Sequence, residues 1–237
     1  MLINDFTYYI NKFKVHNNYY SKTAGLDRPE KSISTPKEWR NYPIQDFDYQ
    51  FNSWGFRGPE FDEHIGKPVN ICLGDSFTVN FGGPIDHSWP SILSKHFDIP
   101  TLNLSMDRAG NDAIRIVYER ACNIFDVQDT FVMYSDLDRR LDENFSFVQE
   151  NAKLSNHINY FLRQRISNAY EIALPSWCWQ LMERSLLRRI GIFSYSSKED
   201  SKPISEERNR DGHHMSKKIN KVYADYLFNK WKHHNDL

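Results

Sequence analysis

The chain has 237 residues, 40% hydrophobic and 15% aromatic, and its 30 basic and 31 acidic side chains leave a formal net charge of -1. That length fits one large domain or a domain with an appendage, and the balanced charge gives no footing to a nucleic acid or an anionic membrane surface as partner. Three dispersed cysteines, Cys72, Cys122 and Cys178, argue against a disulfide framework and for a reducing compartment.

The N-terminal stretch Met1 to Ile10 is broken by Asn4 and Asp5 and lacks a basic start and a cleavage site, so no signal peptide is predicted. No apolar run is long enough to span a bilayer. The expectation is a soluble protein, either cytoplasmic or carried by a larger particle such as a virion. Residues 1–50 are aromatic and polar with little periodicity. Tyr8, Tyr9, Tyr19, Tyr20, Trp39 and Tyr42 stand among Asn, Lys and Pro. They read as an arm that wraps the core; a surface that stacks on a sugar or docks a partner is the alternative. A loop is expected over 22–37, where Gly25, Pro29 and Pro36 fall.

Residues 51–237 read as one domain. A βα alternation begins at residue 69. Val69–Leu73 has the length and β-branched character of a buried strand. Trp89, Ile92, Leu93, His96 and Phe97 then recur at helical spacing, with Pro90 tolerated in the first turn. Thr101–Ser105 is a second strand. Gly110-Asn111-Asp112 opens a helix whose Ile114, Val117, Tyr118, Ala121, Ile124 and Phe125 share a face. Thr130–Tyr134 is a third strand. Strands separated by helices imply a parallel sheet with helices on its faces. Residues 150–192 then read as helical on both sides of Pro175, which predicts an inserted helical hairpin. A lid, an oligomer contact and plain core helix all fit that pattern. Ile190–Tyr195 offers a further short strand, and Ile219, Val222, Tyr223, Tyr226 and Leu227 form a last amphipathic helix.

Two stretches carry the chemistry. Val69 to Leu73 stops at Gly74-Asp75-Ser76, a strand-to-helix turn that puts a serine hydroxyl at the carboxyl end of a strand, in the positive field of a helix start. Near the other end stands Asp211-Gly-His-His214. Serine becomes a nucleophile when a base removes its proton, and histidine suits that task because its pKa lies near neutrality. A carboxylate on the second ring nitrogen fixes the tautomer. Ser76 as nucleophile, His214 as general base then acid, and Asp211 as orienting group form one set.

These stretches resemble the blocks of the SGNH (GDSL-type) hydrolase superfamily. Gly74-Asp75-Ser76-Phe77-Thr78 matches the nucleophile block, and Asp211-x-x-His214 matches the last block and selects His214 over its neighbour His213. Gly110, in the segment from Asn103, falls where that family has its second-block glycine. Asn52 to Glu60 resembles a segment found upstream in one branch. The resemblance implies a three-layer α/β/α fold around a parallel, flavodoxin-like sheet. It also implies an oxyanion hole made by the Ser76 N–H, the Gly110 N–H and an asparagine after the third strand. Ser135 stands in place of that asparagine. Asn111 is a possible substitute from the neighbouring loop, with a helix-cap role as its alternative.

The expected activity is hydrolysis of an O-acyl ester, with O-acetyl on a carbohydrate among the candidates. Two alternatives remain: a weakened member that binds acylated glycans, for which Ser135 speaks, and an O-acyltransferase with the same triad. A metal held by Asp211, His213 and His214 would need further ligands such as His233 and His234. The terminal Lys-His-His-Asn segment reads more simply as a solvated tail, so neither metal nor cofactor is expected.

Overall fold

Apolar runs that end abruptly at a glycine or a polar turn form the centre of the molecule. The structure is a computed structural model, and it describes residues 25–27, 47–143, 147–196 and 214–235. In chain order, β1 (Gly25–Asp27) and β2 (Phe47–Tyr49) pair antiparallel as a small ribbon. There follow β3 (Pro68–Leu73), α1 (Ser76–Val79), α2 (Trp89–Leu93), β4 (Thr101–Asn103) and α3 (Asn111–Ile124). Next come β5 (Asp126–Tyr134), a second ribbon of β6 (Arg139–Leu141) and β7 (Phe147–Gln149), then α4 (Leu154–Gln164) and β8 (Tyr170–Ala173). The series closes with α5 (Leu181–Arg189), β9 (Phe193–Ser194) and α6 (Lys217–His234).

The central sheet has the order β4-β3-β5-β8-β9, with every pairing parallel. Such a sheet is buried on both faces, which is why β3 reads as a nearly unbroken run rather than an alternating one. Helices α2 and α6 pack against each other, as do α3 and α4, giving the three-layer α/β arrangement predicted from the sequence. Val69, Ile71, Leu73, Phe131, Val132 and Ile172 are all fully buried at its centre. Each such side chain contributes about 1.5–3 kcal/mol relative to exposure. The segment before β3 belongs to the same core: Trp54 and Phe61 pack on Phe125 at ring distances of 6.0 and 6.4 Å. Among the described residues no helix is long and apolar enough to cross a membrane.

One expectation needs correcting. The two helices predicted between 150 and 192 are present as α4 and α5, but they do not form an inserted hairpin. β8 lies between them and joins the central sheet beside β5. The stretch is thus two successive crossovers of the sheet. Its four strand residues include Glu171, a charge that masks a buried strand from pattern reading. Tyr134 OH donates to that carboxylate at 2.9 Å and Arg165 Nε at 2.9 Å, which makes its burial tolerable. The short strand expected within 190–195 is β9. The aromatics Tyr8 to Tyr42 of the expected arm lie outside the described residues. Tyr49, just before the domain boundary predicted at 51, packs its ring 5.5 Å from Phe81 and accepts a hydrogen bond from Gly82 N at 2.8 Å.

Candidate active site

In an open parallel sheet ligands bind beyond the carboxyl ends of the strands, at the point where the strand order reverses. Here that point lies between β3 and β5. The turn leaving β3 is tight because Gly74 has no side chain: a Cβ there would stand 2.1 Å from Thr78 Oγ1 and 3.2 Å from the Met133 carbonyl oxygen. Asp75 caps α1, its Oδ1 accepting from Phe77 N at 3.0 Å. Ser76 is then the first residue of that helix and is 6% exposed.

A helix of four residues does not hold itself together. Its far end is fixed from outside by Arg57, which is 2% exposed. The guanidinium donates to Val79 O (3.0 Å), Asn80 O (2.7 Å) and Gly83 O (3.0 Å) and sits 4.5 Å over the Tyr49 ring. Asn80 turns the chain out of the helix in the left-handed region, at φ 62°.

Across the switch point, Asp75 is fully buried and tied to the loop after β5. Its Oδ2 accepts from Ser135 Oγ at 3.0 Å and from Arg139 Nη1 at 3.0 Å. Arg139 also pairs with Asp136 at 2.7 Å. The Ser135 hydroxyl therefore points its proton at Asp75. Asn111 uses both ends of its amide on the same loop: Oδ1 accepts from Ser135 N (2.9 Å), and Nδ2 donates to Ser135 O (3.1 Å) and Asp136 O (3.3 Å). Gly110 precedes α3 where the backbone of Arg139 crosses closely; a Cβ there would lie 2.6 Å from the Arg139 carbonyl oxygen.

His214 comes to this place from the N-terminal side of α6. It is 9% exposed, and its ring lies 4.7 Å from that of Phe77, the residue after Ser76, and 6.0 Å from that of Phe81. One buried side chain ties the two segments together. Asn220, in the first turn of α6, donates through Nδ2 to Asn80 Oδ1 (3.2 Å), Met215 O (3.0 Å) and Ser216 O (3.1 Å), and accepts from Trp89 N at 2.9 Å. Asp211 and His213 lie outside the described residues. His233 and His234 stand at the amino end of the sheet, where they border a cavity of about 490 Å³ with Tyr170 and Lys230, at the opposite end from His214.

Two further carboxylates share the site. Burial pushes Asp107 up to about 6, against the favourable charges of His214, Arg108 and Arg139. Burial likewise pushes Asp136 up to about 7, with Arg139 opposing. Arg139 itself is raised by Asp75 and Asp136 in spite of its burial. Arg57, Asp107, Arg139 and Asn220 do not stand out in the sequence. Arg57 lies inside the Asn52–Glu60 segment and Asp107 inside Asn103–Gly110, segments whose spacing carries no sign of the contacts these two side chains make.

Compared against protein-family models and against curated proteins, the sequence has no match. Among solved structures, the chain is similar to a lipolytic protein of the G-D-S-L family from Desulfitobacterium hafniense DCB-2, at 15% identity and TM-score 0.43 over 67% of this chain and 96% of that one. It is also similar to the psychrotrophic esterase EstA from Pseudoalteromonas sp., at 10% identity and TM-score 0.42 over 72% and 99%. A family two carbohydrate esterase from Clostridium thermocellum is similar at 13% identity and TM-score 0.42, over 76% of this chain and 67% of that one.

Proposed function

We propose that this protein is a serine esterase of the SGNH (GDSL-type) kind that cleaves an O-acyl ester, with O-acetyl on a carbohydrate among the candidate substrates. The observation that carries the reading is the juxtaposition at the switch point: a buried serine opening a helix at the end of β3, and an imidazole from the segment just before α6 packed on the ring of the very next residue. In this mechanism His214 takes the Ser76 proton as Oγ attacks the acyl carbon, and returns it to the departing alcohol. Water, deprotonated by His214, then attacks the acyl-enzyme, and His214 returns that proton to Ser76 Oγ as the acid leaves. Asp211 orients the ring. The Ser76 and Gly110 N–H groups serve the oxyanion.

Ser135 has a different part in this reading. Its hydroxyl donates to Asp75, so it braces the nucleophile turn instead of supplying a third oxyanion donor. The loss of one such donor typically costs ~10²–10³ in rate. That same bond favours a second reading, a weakened member that retains the pocket as a binding site for acylated glycans.

Hydrolysis of p-nitrophenyl acetate by purified variants tests the assignment. Ser76→Ala and His214→Ala are expected to lower kcat/KM at least ~10³-fold, while His213→Ala keeps most of it. Equal losses from the two histidine variants overturn the base assignment, and full activity in Ser76→Ala overturns the nucleophile.

A further inference from the structure

Arg139 opens β6, and the ribbon it belongs to is fixed on two helices. It pairs with Gln149 of β7. Leu141 N, on the same strand, donates to Asp112 in the first turn of α3 at 2.7 Å. Arg140 lays its guanidinium 3.7 Å over the Tyr160 ring of α4. From that support Arg139 reaches two parts of the proposed site. Its Nη1 donates to Asp75 Oδ2 at 3.0 Å and to Ser135 Oγ at 3.3 Å, and the Ser135 hydroxyl donates to the same carboxylate oxygen. Its backbone carbonyl borders Gly110 so closely that a Cβ there would stand 2.6 Å away.

Asp75 is fully buried, and a carboxylate in such a place is costly unless it is paired and hydrogen-bonded. Both of its oxygens are engaged: Oδ1 holds Phe77 N at the start of α1, and Oδ2 faces Arg139. Reorienting this carboxylate therefore shifts the first turn of α1, which contains the N–H and Oγ of Ser76. We infer that Arg139 is a positioning residue: through Asp75 its guanidinium sets the placement of Ser76 and keeps that serine in register with the loop carrying Gly110. The inference rests on the esterase reading, which makes Ser76 the nucleophile. A buried pair that served stability alone could be exchanged for uncharged groups at little cost. A pair that places the nucleophile could not.

Arg139→Gln, Asp75→Asn and the double variant form a cycle. It is read by hydrolysis of p-nitrophenyl acetate and by the rate at which a fluorophosphonate labels Ser76, with thermal midpoints recorded alongside. Arg139→Gln is expected to lower kcat and the labelling rate ~10²-fold, the scale of loss for a reacting group displaced by about 1 Å, with KM changed less than about threefold. In the Asp75→Asn background, where the carboxylate is gone, the same change should lower kcat less than about threefold further. Arg139→Lys keeps the charge without the fork and is expected to lose about tenfold. A reactive parent whose kcat is unchanged in Arg139→Gln, or falls equally in both backgrounds, overturns the inference and leaves the esterase reading standing; so does a lowered midpoint with kcat untouched. If Arg139→Gln is too unstable to assay, Arg139→Lys decides, and parental kcat in that variant overturns the inference. A parent that neither hydrolyses ester nor takes label refutes the esterase reading and this inference with it.

Discussion

Replacing Asn220 by alanine isolates the contact that joins the serine and histidine segments. Asn220 is fully buried, and its amide serves Trp89 N at 2.9 Å and Met215 O at 3.0 Å. Alanine leaves both without that partner. The third acceptor on its own element, Ser216 O, keeps the Asn220 N–H at 3.0 Å. Two unpaired buried groups at about 1–3 kcal/mol each predict a loss of about 2–6 kcal/mol. Water entering the vacated space offsets part of this, and the better helix propensity of alanine returns about 0.5 kcal/mol. A net loss of at least about 1 kcal/mol is therefore expected in urea unfolding followed by circular dichroism. Lys221→Ala is the control: its exposed pair with Asp225 contributes less than about 1 kcal/mol. Because Asn220 also reaches Asn80 at the end of α1, kcat should fall by more than KM rises. Stability within about 0.5 kcal/mol of the parent would refute the claim that this amide fastens the two segments.

Gly110→Ala should lower stability by about 1–3 kcal/mol, since its Cβ would meet the Arg139 backbone oxygen at 2.6 Å and backbone cannot swing aside; an unchanged thermal midpoint would show that the loop after β5 yields freely. Stability should also depend on pH through Asp107 and Asp136, which burial raises to about 6 and about 7. Raised carboxyls hold protons in the folded chain that the unfolded chain releases near pH ~4, so their contribution is complete below that pH and is lost as pH climbs through ~6–7. Relative to an Asp107→Asn/Asp136→Asn variant, the parent should lose unfolding free energy between pH 4 and pH 7; a constant difference would contradict the burial argument.

The sheet was legible where burial is uniform. Val69–Leu73 and Thr130–Tyr134 are apolar runs because both of their faces are covered, and α3 shows its inner face at helical spacing. β8 was not legible, since Glu171 is neutralised by Arg165 and Tyr134, partners that only the folded chain brings together. The same distinction holds at the site. Ser76 and His214 announce themselves through local motifs. Arg57, Arg139 and Asn220 act through backbone and side-chain groups far away in sequence, and no spacing rule encodes such contacts. The role of Ser135 belongs with these: the sequence shows a serine in an unexpected position, and the fold shows its hydroxyl donating to Asp75.

The most direct test of an activated serine is labelling of the purified protein with a fluorophosphonate, followed by mapping of the modified residue by mass spectrometry. The account predicts modification at Ser76, lost in His214→Ala and retained in His213→Ala. A folded protein that takes no label, or one labelled equally well without His214, would contradict it.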